Sequence, residues 1–149
     1  MKLLELVLSK RKIITSILCA FYVIIIVRLT LIDRVPVTKR TFKPELFWAF
    51  RSWVRGDTNG KTESIQYIQN ILLFVPFGFL FPVKDKTKDC ILCALVLSIA
   101  IEITQFVTVM GWCEIDDVIS NTLGAIIGFF IFKWVATIYQ KYWGDSHVD

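Results

Sequence analysis

Six acidic and amide side chains lie close together in a stretch of the chain that is otherwise strongly apolar. They are Glu102, Gln105, Glu114, Asp116, Asp117 and Asn121, within the segment IEITQFVTVMGWCEIDDVISNTLGAIIG. Two carboxyl groups in unlike environments can divide the acid and base roles of a reaction. Carboxylate oxygens can also bind a divalent cation, but three acids in one short loop are more often simply hydrated. We therefore expect no metal and no cofactor.

The composition predicts an integral membrane protein. The chain has 149 residues, of which 55% are hydrophobic, and a mean hydropathy of +0.60. These values are too apolar for a soluble domain of this size. The net charge of +4 is explained by attraction to anionic lipids, and no motif supports nucleic-acid binding.

Four apolar windows, residues 13–32, 65–82, 90–110 and 118–138, are long enough to cross a bilayer as helices. The predicted fold is an all-α membrane protein with four transmembrane helices in a single domain, residues 1–149. The first window follows a basic start, MKLLELVLSKRK, and no small-residue cleavage site follows it. We expect it to stay attached as a signal anchor.

Basic residues in short loops indicate which side of the membrane is cytoplasmic. With both termini inside, nine bases are cytoplasmic, in segments 1–12, 83–89 and the tail. The opposite orientation leaves inside the seven bases of segment 33–64. Loop 111–117 has three acids and no base, which suits the outside. We predict that both termini are cytoplasmic and that loop 33–64 is extracytoplasmic.

A short amphipathic helix is predicted within that loop. Its apolar residues recur at helical spacing: Leu46, Phe47, Phe50, Trp53 and Val54. Arg51 and Arg55 lie on another face, Pro44 and Glu45 suit a helix start, and Gly56 suits its end. Two interpretations stay open. The helix lies in the lipid headgroup region, or it packs over the bundle as a lid.

Polar side chains of three predicted helices fall at a similar depth. Glu102 lies about eight residues, or roughly 12 Å, from the outer end of its span, with Gln105 one turn above it. Asn70 falls in the outer half of the second span and Asn121 one turn into the fourth. Arg28 lies near the outer end of the first span. Because a charge within the membrane usually has a partner, we hypothesise that Arg28 and Glu102 pair or share a small hydrated cleft.

Two further patterns indicate structure rather than chemistry. Gly124 and Gly128 have the spacing that lets another helix approach closely. Cys19, Cys90, Cys93 and Cys113 are expected to be free thiols, since three lie in or beside apolar spans.

Four segments taken together resemble the VanZ-like family of small bacterial membrane proteins. They are RLTLIDR, NILLFVPFGFLFP, EITQ and IDDVISNTLGAIIG, in that order. The resemblance implies an accessory role in resistance to glycopeptide antibiotics, teicoplanin above all, and no established reaction. The family's recurring positions map onto Asn70, Pro76, Gly78, Glu102, Gln105, Asp117, Asn121, Gly124 and Gly128.

One feature departs from the family pattern. Many relatives carry a basic residue shortly before the paired aspartates, whereas GWCEIDD has Trp112, Cys113 and Glu114 there. If that base contacts an anionic group in relatives, Arg28 or Arg51 would have to replace it in this chain.

Two functions remain open. In the first, the protein is not a catalyst and binds a lipid-linked cell-wall precursor or a lipoglycopeptide antibiotic in the outer leaflet. Membrane lipids are its other expected partners. Its predicted ligand-binding residues are Asn70, Glu102, Gln105, Asp116, Asp117, Asn121 and Arg28. In the second, a membrane-embedded enzyme acts on a lipid-linked substrate with Glu102 and Asp117 as an acid–base pair. The chain has no serine or cysteine nucleophile paired with a histidine, which favours the first function.

Overall fold

The computed structural model describes residues 2–56, 58–81 and 87–143. The first part of the chain forms the helix α1 (Lys2–Val27), a π-helical turn (Arg28–Ile32) and the strand β1 (Phe42–Lys43). The helices α2 (Trp48–Val54), α3 (Thr58–Leu80) and α4 (Thr87–Thr108) follow. The last elements are the strand β2 (Cys113–Glu114) and the helix α5 (Ile115–Trp143). The chain is mainly helical, as predicted. The two short strands were not predicted.

Among the described residues, three helical segments are long and apolar enough to span a membrane: Ile13–Ile32, Thr87–Thr108 and Ile115–Tyr139. The apolar part of α3, Ser64–Leu80, is shorter. Its 17 residues rise roughly 25 Å, against a bilayer core of ~30 Å. The first, third and fourth predicted spans are therefore present as helices of sufficient length, whereas the second, residues 65–82, is not confirmed as a span.

The helices expose large apolar side chains, as membrane-facing surfaces do. Ile17, Ile24, Leu72 and Trp134 are each more than 60% exposed. A soluble protein rarely shows so much apolar surface. Among the described residues, one cluster of buried apolar side chains contains Ile26, Phe74, Phe77, Ala94, Ile101 and Ala125. The Tyr22 hydroxyl ties α1 to α3 by donating a 2.8 Å hydrogen bond to the Leu73 carbonyl.

Helices α3 and α5 meet along a line of glycines, which we call the glycine seam (Gly78, Gly124 and Gly128). A Cβ atom at Gly124 would overlap the Ile71 carbonyl, and one at Gly128 would overlap the Val75 carbonyl. At Gly78 it would overlap the Ala125 carbonyl. The predicted close approach is thus confirmed. Because residues 71 and 75 of α3 meet 124 and 128 of α5, the two helices run parallel.

Segment 33–47 folds back over the end of α4. The amide of Val37 donates to the Val109 carbonyl at 2.8 Å, and the amide of Cys113 donates to the Thr41 carbonyl at 3.0 Å. Strands β1 and β2 pair in parallel, with Lys43 opposite Glu114. We call this end of the bundle the polar end: β1, β2, α2, the last turns of α4 and the first described turns of α3 and α5.

The amphipathic helix exists but begins later than predicted. Phe47 precedes it in the left-handed conformation (φ 53°), and α2 begins at Trp48 rather than near Pro44. Gly56, with φ 87°, follows its end. The helix packs against α3, which fits the lid interpretation. Its contact with lipid headgroups stays a prediction.

The orientation of the termini also stays a prediction. The prediction used the positions of basic residues, and two of these, Lys84 and Lys86, lie outside the described residues. The same is true of residues 144–149 of the tail.

Candidate functional site

Glu102 lies at the centre of the polar end. Its side chain extends from α4, is 3% exposed, and accepts a 2.9 Å hydrogen bond at Oε2 from the amide of Glu114. Asp117, Glu114 and Arg34 are all close enough to interact with it electrostatically. The carboxyl group is therefore positioned by β2 and has a basic neighbour in Arg34.

Gln105 joins the first helix to α4. It is fully buried, and its Nε2 donates a 2.8 Å hydrogen bond to the Thr30 carbonyl in the π-helical turn. Its Oε1 has no hydrogen-bond partner among the described residues. A Cβ atom on Gly111 would lie 3.4 Å from Gln105 Cδ and 3.7 Å from Arg34 Nη1. These are ordinary contact distances, so it is the backbone φ of 151° at Gly111, and not a lack of space, that favours glycine there.

Asn121 and Asn70 lie deeper in the bundle. The Nδ2 of Asn121 donates a 2.8 Å hydrogen bond to the Ser98 hydroxyl, so α5 and α4 are linked one turn below Glu102. Asn70 is buried on α3, within one turn of the contact between Ile71 and Gly124. The two amides therefore lie at the same end of the α3–α5 pair.

The adjacent aspartates have different surroundings. Asp116 is 3% exposed, and its Oδ1 accepts a 2.7 Å hydrogen bond from the amide of Phe47. Its Oδ2 has no hydrogen-bond partner among the described residues. Asp117 is only half-buried and interacts with Glu102. Asp116 thus fixes the residue before α2 through this hydrogen bond. Asp117 belongs instead to a group that we call the Glu102 cluster (Glu102, Arg34, Glu114 and Asp117).

Lys43 is held by two tryptophans and a carboxylate. Its Nζ lies 3.7 Å from the ring centre of Trp48 and 3.4 Å from that of Trp112. The same nitrogen lies 3.3 Å from Glu114 Oε1, and Trp48 Nε1 donates to Glu114 Oε2 at 3.0 Å. Both Lys43 and Glu114 side chains are largely buried. A basic side chain, that of Lys43, therefore lies next to Trp112 and Glu114, which shortly precede Asp116 and Asp117 in the sequence.

The predicted pairing of Arg28 with Glu102 is wrong. The Arg28 side chain is 71% exposed and forms a 3.5 Å ion pair with Asp33. Because Arg28 lies near the end of its span, its long side chain can extend toward the headgroup region and needs no buried partner. Arg34, which follows the π-helical turn, lies nearer to Glu102 instead. The expectation that Arg28 or Arg51 would have to replace the missing base stays a prediction; the Arg51 side chain is exposed on α2.

An apolar pocket of about 240 Å³ lies between α2 and α3. Its walls are Phe47, Phe50, Trp53, Tyr67 and Ile68, with Ser64 and Asp116 also in contact. A second, shallower cleft of about 340 Å³ is lined by Trp48, Arg51, Ser52 and Arg55. Because both involve α2, the helix presents aromatic residues to one cleft and two guanidinium groups to the other.

Cys113 is unsuited to nucleophilic chemistry. Burial raises the pKa of its thiol, and the neighbouring carboxyl groups of Glu102, Asp117 and Glu114 raise it further. The thiol is therefore protonated at neutral pH, and it is the thiolate that reacts.

Sequence reasoning missed Arg34, Lys43, Ser98 and the two tryptophans beside Lys43. A two-residue strand has no periodicity that could predict its pairing, so nothing in the sequence brings Lys43 to Glu114. Ser98 could have been found, because it precedes Glu102 by one helical turn and so shares its face.

Comparison with known proteins identifies a family and a curated relative. The family described as VanZ/LLP1 matches residues 14–136. The protein named Protein VanZ of Enterococcus faecium is 37% identical over 70 residues, which cover 45% of this chain and 44% of that protein. The chain thus spans less than half the length of the curated relative it matches. No solved structure shows a significant match. The family match covers most of the chain, including every segment that builds the polar end, and the chain therefore belongs to the VanZ/LLP1 family.

Proposed function

We propose that this protein binds an acylated or lipid-linked molecule at the polar end and thereby lowers the susceptibility of a bacterium to teicoplanin. In this proposal it lies in the cell membrane with four spans and both termini in the cytoplasm. The polar end then faces the outer leaflet, where a lipidated glycopeptide or a lipid-linked cell-wall precursor is found.

The observation that carries the proposal is the pairing of two unlike clefts on α2. One is apolar and is lined by Phe47, Phe50 and Trp53. The other presents Arg51 and Arg55. A hydrocarbon chain suits the first, and guanidinium groups bind carboxylates or phosphates. An amphiphile with an anionic head group has both parts.

Unused hydrogen-bonding capacity supports the same location. Four buried side-chain atoms have no partner among the described residues: Asn70 Nδ2, Gln105 Oε1, Asp116 Oδ2 and Asn121 Oδ1. All four residues belong to the predicted ligand-binding set. Because buried polar groups in folded proteins are nearly always satisfied, a polar ligand or ordered water is expected beside them.

The proposal is tested by expressing the protein in a susceptible Gram-positive host and measuring growth inhibition by teicoplanin and vancomycin. Binding through an acyl chain predicts protection against teicoplanin, which is lipidated, and little against vancomycin, which is not. Ile68→Trp, which fills the pocket, should remove the protection. The matched control is Leu72→Trp, one turn further on the same helix and outside the pocket. Equal membrane abundance is checked by immunoblot. No protection by the wild-type protein contradicts the proposal.

The alternative function is a membrane-embedded enzyme that acts on a lipid-linked envelope substrate. It is supported by the electrostatic contact between Glu102 and Asp117. An acid–base pair needs an ionisable group at both positions, so Glu102→Gln would abolish the activity. A binding protein would lose only part of its protection, since glutamine can still accept the hydrogen bond from Glu114. The size of that loss separates the two functions.

A further inference from the structure

The cleft lined by Trp48, Arg51, Ser52 and Arg55 contains two guanidinium groups without a fixed counter-charge. Arg51 and Arg55 are exposed, and neither forms an ion pair with a carboxylate among the described residues. Because they lie four residues apart on α2, their Cβ atoms are about 5–6 Å apart on one face of the helix. Like charges at this spacing repel each other. The cleft therefore suits a ligand that brings negative charge to both groups.

The acids of the polar end do not supply that charge, because most of them are buried or paired. Glu102 and Asp116 are each 3% exposed. Glu114 and Asp33 form ion pairs with other bases. Glu45 is exposed, but no ion pair joins it to the cleft within the part of the chain that the structure describes. An anion from outside the protein is therefore the natural partner of the two arginines.

The helix that carries these arginines is anchored at its start. Trp48 Nε1 donates a 3.0 Å hydrogen bond to Glu114 Oε2, and the Lys43 ammonium lies 3.7 Å from the centre of the Trp48 ring. The amide of Phe47 donates to Asp116 Oδ1. A wall that is fixed before binding lowers the entropy lost when a ligand binds. Trp48 thus forms a preformed wall of the cleft.

The cleft is also accessible to a polar head group. Its volume is about 340 Å³, and its exposed surface is mainly polar, unlike that of the apolar pocket on the other side of α2. A head group can therefore reach both guanidinium groups from solvent or from the headgroup region of the membrane.

The number of charges distinguishes the possible head groups. A carboxylate carries one negative charge, and so does the phosphodiester of an ordinary phospholipid. Either would neutralise one guanidinium and leave the other in place. A diphosphate has two adjacent phosphoryl groups, and each can accept two parallel hydrogen bonds from one guanidinium. The repulsion that remains with a singly charged ligand gives selectivity against bulk lipid.

We propose that this cleft binds the diphosphate of a lipid, with one phosphoryl group held by Arg51 and the other by Arg55. The inference deepens the proposed function and rests on it for the class of ligand, an amphiphile with an anionic head group. It selects, within that class, a lipid diphosphate over a lipid that carries carboxylates.

The test compares three amphiphiles that share a ten-carbon chain and differ in the head group: decyl diphosphate, decyl methyl phosphate and decanoate. Binding is measured by isothermal titration calorimetry on the purified full chain in phosphatidylcholine nanodiscs, with empty nanodiscs as the blank. The wild-type protein should bind the diphosphate about tenfold more tightly than either singly charged probe, through the additional charge-assisted hydrogen bonds. Equal affinity for the three probes overturns the proposal, and this result needs no variant to fold.

The two arginines are tested one at a time. Arg51→Gln and Arg55→Gln should each weaken diphosphate binding about tenfold and change decanoate binding much less, because one guanidinium remains for the carboxylate. The matched control is Arg40→Gln. Arg40 is an exposed arginine that donates to the Val107 carbonyl and does not line the cleft, so its loss should leave the preference intact. A preference that survives in both cleft variants overturns the assignment of the cleft.

Inorganic diphosphate distinguishes a lipid ligand from a free anion. Since it has no chain to place in the apolar pocket, it should bind at least about tenfold more weakly than decyl diphosphate. Equal affinity for the two overturns the lipid as the source of the phosphate.

The outcomes for the two proposals are distinguishable. A preference for the diphosphate without protection against teicoplanin removes the proposed function and keeps the role of the cleft. Protection without that preference keeps the function and removes the diphosphate as its ligand.

Discussion

The glycine seam and the polar end are built on opposite principles. At the seam, α3 and α5 approach until backbone carbonyls of one helix touch the glycines of the other, which leaves no spare volume. At the polar end, two clefts remain open, and Gln105 Oε1 and Asp116 Oδ2 lack partners among the described residues. The same holds for an atom each of Asn70 and Asn121, which lie deeper in the bundle. Close packing stabilises one fixed arrangement, whereas spare volume and unused hydrogen-bonding capacity are features of a binding site. The seam therefore fixes the helices around the polar end, and the polar end has the features expected of a binding site.

The largest expected effect comes from a methyl group in the seam. Gly128→Ala would put a Cβ atom onto the Val75 carbonyl, and backbone cannot move aside as a flexible side chain can. We expect a loss of at least about 3 kcal/mol in the free energy of unfolding, measured by SDS titration in mixed micelles.

Gly56→Ala is the control for that experiment. Its added Cβ would contact nothing within 4 Å, but its φ of 87° is unfavourable for alanine. A loss of only about 1–2 kcal/mol is expected. If both variants lost the same amount, the seam would not be the tightly packed region described above.

The next effect tests whether Glu102 has a structural role at the polar end. Glu102→Leu would leave the amide of Glu114 without its acceptor, for a loss of about 2 kcal/mol. Hydrogen exchange of the 109–116 peptide should become faster. Glu102→Gln keeps an oxygen acceptor and should change exchange much less. Similar exchange in both variants would show that the 2.9 Å hydrogen bond does not hold β2.

A smaller effect is expected at Lys43. Lys43→Met removes its contacts with Trp48, Trp112 and Glu114, and we expect a loss of about 1 kcal/mol. The tryptophan emission should also shift, because a cation leaves two indole rings. Lys39→Met, an exposed lysine in the same segment, is the control. An unchanged spectrum in Lys43→Met would contradict the described contacts.

The smallest effect belongs to Arg28. Its ion pair with Asp33 is exposed on both sides, and such pairs contribute little. Arg28→Ala should change the free energy of unfolding by less than about 0.5 kcal/mol and leave protection against teicoplanin unaltered. A loss of protection at normal abundance would instead show that Arg28 contributes to ligand binding.

The sequence predicted the two regions to different extents, for a physical reason. The seam follows from local spacing, since Gly124 and Gly128 lie one turn apart on one helix. The depth of Glu102, Gln105 and Asn121 follows equally from the fixed rise of a helix. These features need only the position of a residue along its own element.

The partners at the polar end depend on contacts between distant segments. Lys43 and Glu114 are 71 residues apart and meet through strands of two residues, which have no sequence pattern. Arg34 reaches the Glu102 cluster because segment 33–47 folds back over α4, and no periodicity in that segment predicts such a path. Arg28 was preferred because it lies in the span itself, but its side chain is exposed and pairs with Asp33 instead of Glu102.

The most direct test of the central claim is to map where an acyl chain binds. The full chain in nanodiscs is irradiated with a ten-carbon acyl amide that carries a photoactivatable diazirine at the end of its chain, and labelled peptides are identified by mass spectrometry. We predict labelling at residues 47–53 and 64–68, and its loss in Ile68→Trp but not in Leu72→Trp. Labelling spread over the exposed apolar faces of α1 and α5, without enrichment at the pocket, would contradict a binding site at the polar end.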